Sequence, residues 1–382
     1  MMNLLPSFLR VMSIVLIAAK AAAQDPHFSQ FYANRIYLNP SYAGFDPGKT
    51  FNLNFRNQWP GIPDGDVAAS ATSFRTVNAT GDFRLPCFSG IQHFSMGLAG
   101  SIFRDAAGRA PLVGQGAGVA LSAAKRLKFD KYRSKLDYFD IRVGAQMSVM
   151  QRKINHDFFI YSNQLDPKWG LTSDPSLLNL RSELYPNLNA GMMVNFGNKR
   201  FTQSIGVSIS NVLEPNQSLR DAPSADILSR RYTGHVGTTV AVSNNLYVSP
   251  QARADFQSGF DLGLFSTGVY LQNEQMYGGM FFQWNKNTLN QISTISPSIQ
   301  SVNHLIFNIG LDLESIVHLI GDETLEHSFI LGATYDLSLS GLGQQTTKGG
   351  VEFSLRMFFD GGKRYSCLEE KQYTYKRCPI TH

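Results

Sequence analysis

The side chains with the widest chemical repertoire are scattered through this chain. The eight histidines are His27, His93, His156, His235, His304, His318, His327 and His382. None stands in a GxSxG or HExxH context. Catalysis needs a nucleophile, a base and an orienting group within reach of one another, and no such trio is legible. His235, between Gly234 and Val236 at a strand start, reads as a lumen residue rather than a base. Asp64-Gly65-Asp66 resembles part of a calcium loop but lacks the remaining ligands, so a polar turn is expected. Of the three cysteines, Cys87 stands alone, and Cys367 and Cys378 share the C-terminal tail. In an oxidising compartment those two can form a disulfide; free thiols are the alternative. No Cys/His metal spacing is present. Gly97 to Gly100 and Gly114 to Gly118 lie on strand patterns, not in a phosphate loop. The expectation is a non-enzymatic protein with no catalytic residue, no metal and no cofactor.

The elements behind these residues are more informative. Arg10, the apolar run Val11 to Ala19, then Lys20-Ala21-Ala22-Ala23 read as a signal peptide, residues 1–23, cleaved near Ala23. Beyond it no apolar run reaches the roughly 18 residues of a membrane helix. Aromatics make up 12% and charged residues only 16%. The net charge of +5 is spread out, with no basic block interleaved with aromatics, so no nucleic acid partner is expected.

Period-2 alternation dominates the rest. Val351, Phe353, Leu355, Met357 and Phe359 share one parity; Glu352, Ser354 and Arg356 share the other. About ten residues is what a tilted strand needs to cross a bilayer. A terminal aromatic, Phe359, resembles the C-terminal insertion signal of bacterial outer-membrane barrels. Similar segments begin at Phe51-Leu53-Phe55 and recur along the chain, among them Phe94–Ile102, Ala117–Ala123 and Asp137–Val149. Val67, Ala69 and Ala71 are read as the second strand, leaving Thr72–His93 as a long connection. The count is about 14, even as in bacterial single-chain barrels. The fold class expected is therefore all-β: an antiparallel transmembrane barrel over residues 51–359. Its apolar parity would face lipid, and its Asn, Ser, Gly, Gln, Arg and Asp parity a lumen holding water or a plug. Residues 24–50 are different. Phe28, Phe31, Tyr32 and Tyr37 have a roughly helical spacing that Asn39-Pro40 stops. Residues 24–50 are expected to form a periplasmic, plug-like segment that packs into or under the barrel mouth. Residues 360–382 form a periplasmic tail that either touches a partner or is simply solvated.

Several stretches together resemble one family. Asp25-Pro26-His27-Phe28-Ser29-Gln30-Phe31-Tyr32, then Leu38-Asn39-Pro40 with Ala43-Gly44, is similar to the start of mature PorP/SprF proteins of the Bacteroidetes type IX secretion system. Phe55-Arg56-Asn57-Gln58-Trp59-Pro60 resembles that family's Arg-Asn-Gln-Trp-Pro motif. Thr334-Tyr335-Asp336 and Gly350-Val351-Glu352-Phe353-Ser354-Leu355 are similar to its closing hairpin, and Arg377-Cys378-Pro379 to its terminus. The resemblance implies an outer-membrane barrel that assists export and surface retention of proteins with a C-terminal sorting domain, with links to gliding motility. Implied partners are periplasmic ring and core components of the machine, a secreted surface protein and outer-membrane lipid. Phe28, Phe31, Tyr32 and Trp59 are expected to anchor the amino-terminal segment, with Asn39 and Pro40 in the same motif. The rival reading is a passive porin or hydrophobic-ligand channel.

Overall fold

A computed structural model describes residues 25–60, 73–85, 93–108, 112–127, 136–154, 165–166, 170–171, 181–198, 200–219, 226–243, 246–257, 262–273, 276–287, 303–313, 327–339 and 348–360. Residues 1–23, read above as a signal peptide, the Asp64-Gly65-Asp66 turn, Cys87, both tail cysteines and residues 361–382 lie outside them.

Fourteen antiparallel strands close into a barrel. They are β1 (Gly48–Gln58), β2 (Phe74–Arg84), β3 (Phe94–Ala107), β4 (Leu112–Leu127), β5 (Tyr138–Ile154), β6 (Tyr185–Asn198) and β7 (Phe201–Ser210). β8 (Arg231–Ala241), β9 (Tyr247–Gln257), β10 (Leu262–Gln272), β11 (Met276–Asn287), β12 (His304–Asp312), β13 (His327–Ser338) and β14 (Gly350–Asp360) complete the wall. Each strand pairs with its sequence neighbours, and β1 closes on β14 with Gly48 opposite Asp360 and Gln58 opposite Gly350. Closure leaves no edge, the condition for a sheet to cross a bilayer.

Burial is inverted relative to a soluble sheet. In β1, Thr50, Asn52, Asn54 and Arg56 are buried, while Phe51 and Leu53 are exposed. The same holds around the ring: Val119, Val143, Met147, Val207, Phe282, Ile309 and Phe353 face outward. The outer surface is an apolar belt for lipid, and the polar parity turns into a filled lumen.

Two boundaries differ from the sequence expectation. The barrel starts at Gly48 instead of Phe51, because Thr50 already lies on the buried parity. The second strand is Phe74–Arg84, in the stretch read as a connection; Val67–Ala71 falls outside the described residues. β2 is hard to see because its outward parity is Arg75, Val77, Ala79, Gly81 and Phe83. The bare position at Gly81 is covered by the Phe51 ring of β1, 3.1 Å from where a Cβ would stand.

The two rims are unlike. One holds the start of β1 and the end of β14, with the connections 85–93, 128–137, 199–200, 242–246, 273–275 and 313–326. The other holds 59–73, 108–111, 155–184, 211–230, 258–261, 288–303 and 339–349. The shortest turns lie on the first and the longest connections on the second, although 313–326 on the first is long and 108–111 and 258–261 on the second are tight. They are called the short-turn rim and the long-loop rim below.

Residues 25–47 occupy the lumen. A one-turn helix, α1 (Arg35–Leu38), is followed by a 3-10 turn over Pro40–Tyr42. Phe31, Tyr32 and Leu38 pack on Tyr270, Tyr277, Phe281, Ile306 and Ile330 of β10–β13. Glycines make room for that aromatic wall. Tyr270 lies across Gly279, Tyr277 across Gly310 and Phe281 across Gly268, each pair in direct register or contact between neighbouring strands.

Candidate functional site

The site is the contact between this internal plug and the barrel. At its amino end Asp25 accepts a hydrogen bond from Asn211 (2.8 Å) and pairs with Arg231 (3.4 Å). Next comes a buried ionic clamp. The Ser29 N–H donates to Glu352 at 2.7 Å, and the Ser29 hydroxyl donates to Asp336 at 2.7 Å. Arg56 pairs with Asp336 at 2.8 Å and Glu352 at 3.5 Å, and also donates to the Ser29 hydroxyl. Gln30 donates through its N–H to the Glu352 carboxylate (3.2 Å) and through its side chain to the Glu352 carbonyl (3.1 Å), and its Oε1 accepts from Ser354. Glu352 is completely buried. An Arg fork between two carboxylates fixes geometry as well as charge.

The middle of the plug is pinned by Asn39. The residue is fully buried. Its Nδ2 lies 3.2 Å from the carbonyls of Met192 and Val207 and from His235 Nε2. Its Oδ1 accepts from the Ser41 N–H at 3.0 Å and the Ser41 hydroxyl at 2.7 Å, capping the 3-10 turn that Pro40 opens. Ser208 donates to the Leu38 carbonyl at 2.7 Å.

The carboxyl end is held by arginines of the wall. Arg142 donates to the carbonyls of Ser41 (3.1 Å) and Ala43 (3.2 Å), and Arg84 to those of Gly44 (3.2 Å) and Phe45. Asp82 accepts from the Gly44 N–H at 3.0 Å. Asp46 sits between Arg35 (3.4 Å) and Arg356 (2.5 Å). Wall glycines let the plug backbone press close. A Cβ at Gly97 would overlap the Ala43 carbonyl and Gly44, one at Gly144 the Pro40 carbonyl and Ser41, and one at Gly191 the Asn39 side chain. Gly44 itself adopts φ +58°, a conformation that favours glycine.

Burial sets the electrostatics of the plug. His27 lies 3.1 Å from Gln283. Desolvation, followed by Arg56, Arg253, His304 and Arg231, holds its imidazole well below the ordinary 6.5. Tyr37 donates to the Pro26 carbonyl, accepts from Arg231 and stacks on Phe103. Its burial outweighs the nearby Arg231 and pushes the phenol up to about 12. A cavity of about 70 Å³ beside it is lined by Asn78, Gln146, Asn187 and Asn189 together with the apolar Phe103 and Met150.

The structure brings Phe28, Phe31, Tyr32, Asn39 and Pro40 together in the lumen. Phe28 meets Tyr37 edge-on at 5.3 Å, Phe31 meets Phe281 at 5.8 Å, and Tyr32 meets Tyr270 at 4.7 Å. Trp59 stands apart. It follows β1 at φ 57°, donates its backbone N–H to the Gly349 carbonyl at 2.7 Å and has Phe74 as its ring partner. Phe359 lies between Phe51 and Phe329 on the lipid-facing parity, 6.0 and 6.2 Å between ring centres. Sequence reasoning missed the ionic clamp, although its parts were in view. Ser29, Arg56, Asp336 and Glu352 come from four separate stretches that carry the family resemblance, and only closure of the barrel makes them neighbours.

Comparison with curated proteins gives no match. Similar solved structures include a FadL homologue of Pseudomonas aeruginosa, at 12% identity over 84% of this chain and 92% of that one, TM-score 0.45. A TodX monoaromatic hydrocarbon channel mutant is similar at 9% identity over 85% and 94%, TM-score 0.42. BamA of Haemophilus ducreyi lacking POTRA domains 1–3 is similar at 8% identity over 82% and 70%, TM-score 0.37. A family model described as "Type IX secretion system membrane protein PorP/SprF" matches residues 20–357. With nearly the whole plug and barrel inside that match, the chain belongs to the PorP/SprF family of type IX secretion system membrane proteins.

Proposed function

We propose that this chain is a non-enzymatic outer-membrane component of the type IX secretion machine. It assists export and surface attachment of proteins that carry a C-terminal sorting domain, in contact with periplasmic ring and core components. The observation that carries this reading is the family match over residues 20–357. The filled lumen supports a supporting role rather than a conduit. Among the described residues the plug is tied to the wall by ion pairs toward both of its ends, Asp25 with Arg231 and Asp46 with Arg356. Phe28, Phe31, Tyr32, Asn39 and Pro40 hold the plug to the wall, while Trp59 steadies the end of β1. Phe359 supplies the insertion signal, and Cys367 and Cys378 stay available for pairing in the tail.

The test is recovery of the tagged full-length protein from native outer membranes, with mass spectrometry of what accompanies it. Periplasmic machine subunits, or a large surface protein with a C-terminal sorting domain, are the expected companions. A lone barrel that conducts ions in a planar bilayer would instead establish the passive porin.

A further inference from the structure

The plug has a direction. Asp25 touches Asn211, Arg231 and Gln257, which follow β7, open β8 and end β9. All three lie at the long-loop rim. Ser29 and Gln30 meet Arg56, Asp336 and Glu352, at the end of β1, the end of β13 and the start of β14, near the same rim. Asn34 reaches Asn78, and Asn39 reaches Met192 and His235, midway along their strands. Ala43 and Gly44 meet Ser122, Asp82 and Arg84, and Asp46 meets Thr50 and Arg356, all near the short-turn rim where β1 begins. The two ends of the segment therefore lie toward opposite rims, residue 25 at the long-loop rim and residue 46 near the short-turn rim; between them Tyr32 dips to Tyr270 and Tyr277, and Tyr37 returns to Pro26, Phe103 and Arg231.

We infer that the chain's own amino end is carried through the lumen and presented at the long-loop rim, opposite the rim from which β1 starts and β14 ends. Outer-membrane barrels keep short turns in the periplasm and long loops outside. Resting on the outer-membrane reading above, this places the amino terminus left by cleavage near Ala23 on the cell surface. There it is a feature that a partner outside the cell can grasp or that a fused peptide can display. The carboxyl end of β14 stays on the periplasmic side.

The experiment compares three epitope insertions in the full-length protein, on intact and on permeabilised cells, with a non-permeant antibody. One lies between Ala23 and Gln24, one in the β7–β8 connection and one in the β10–β11 turn. The inference expects the first two to be reached on intact cells and the third only after permeabilisation. An amino-terminal tag that follows the β10–β11 turn instead of the β7–β8 connection overturns the threading. Reversed accessibility of all three keeps the threading, overturns surface presentation and counts against the membrane orientation alone. Should the tag disturb processing, a cysteine pair at Asp25 and Asn211, in a background with Cys87, Cys367 and Cys378 replaced by serine, keeps the question open to an answer. Threading expects this pair to form a disulfide and a Asp25/Thr50 cysteine pair not to; the opposite result overturns it.

Discussion

Arg56 holds two carboxylates and a plug hydroxyl inside the barrel, so its removal acts on wall and plug together. Arg56→Ala leaves Asp336 and Glu352 side by side in the lumen without their shared cation. Breaking a buried ion pair by removing one partner costs about 3–5 kcal/mol. The expected outcome is a lower temperature for loss of the compact, SDS-resistant band, with Arg56→Lys intermediate because an ammonium lacks the planar fork. An unchanged temperature in Arg56→Ala would remove the clamp from this account. His27 gives a pH signature. Its imidazole is held below 6.5 in the docked plug, so the undocked form binds the proton more readily. The His27 contribution to docking is full above pH 6.5 and falls as pH drops from there toward the depressed value, by at most about 1.4 kcal/mol per pH unit. It is read by difference: between pH 7.5 and 5.5, protease cleavage of the plug is expected to change in favour of cleavage more in the parent protein than in His27→Gln, and an identical pH response of the two would remove His27 from the account.

At the scale of elements, the plug and the wall are fitted backbone to backbone. Gly144 of β5 faces Pro40 and Ser41 where a Cβ would collide, whereas Gly100 of β3 has nothing within 4 Å of its Cβ position. Gly144→Leu is expected to displace the plug from a barrel whose strands still pair, seen as faster proteolysis within 25–47 at an unchanged β-sheet circular dichroism signal. Gly100→Leu should leave both unchanged. Equal effects of the two would deny the close seat. The lipid face makes a separate demand. Val207, outward on β7, replaced by Lys should cost about 2–4 kcal/mol if it lies near the bilayer midplane. Urea titration in lipid vesicles measures this directly. Most strands were legible because outward Val, Leu, Ile and Phe alternate with inward Asn, Ser and Arg. β2 was not, because Gly81 borrows its apolar cover from Phe51 across the ladder. A period search in one strand cannot see a side chain supplied by the next.

For the whole molecule, the sequence marked Phe28, Phe31 and Tyr32 as an aromatic group and Asn39-Pro40 as a chain stop, and both descriptions apply to the plug. The partners were hidden. Ser29 lies more than three hundred residues before Glu352, and their 2.7 Å contact exists only because β14 closes on β1. Trp59 looked equivalent to the other aromatics by composition, but β1 carries it beyond the plug to Phe74. The same closure joins the two ends of the structure. A lumen built for water would leave its polar parity solvated, yet Asn54, Arg84, Arg142 and Glu352 are buried. The central claim is thus a membrane barrel closed by its own amino-terminal segment, serving secretion without being an open pore. Single-channel recording in planar bilayers tests it most directly. The intact protein is expected to be silent, and a variant lacking residues 25–46 to conduct steadily. Stable open-channel currents from the intact protein would contradict the account and leave a passive porin in its place.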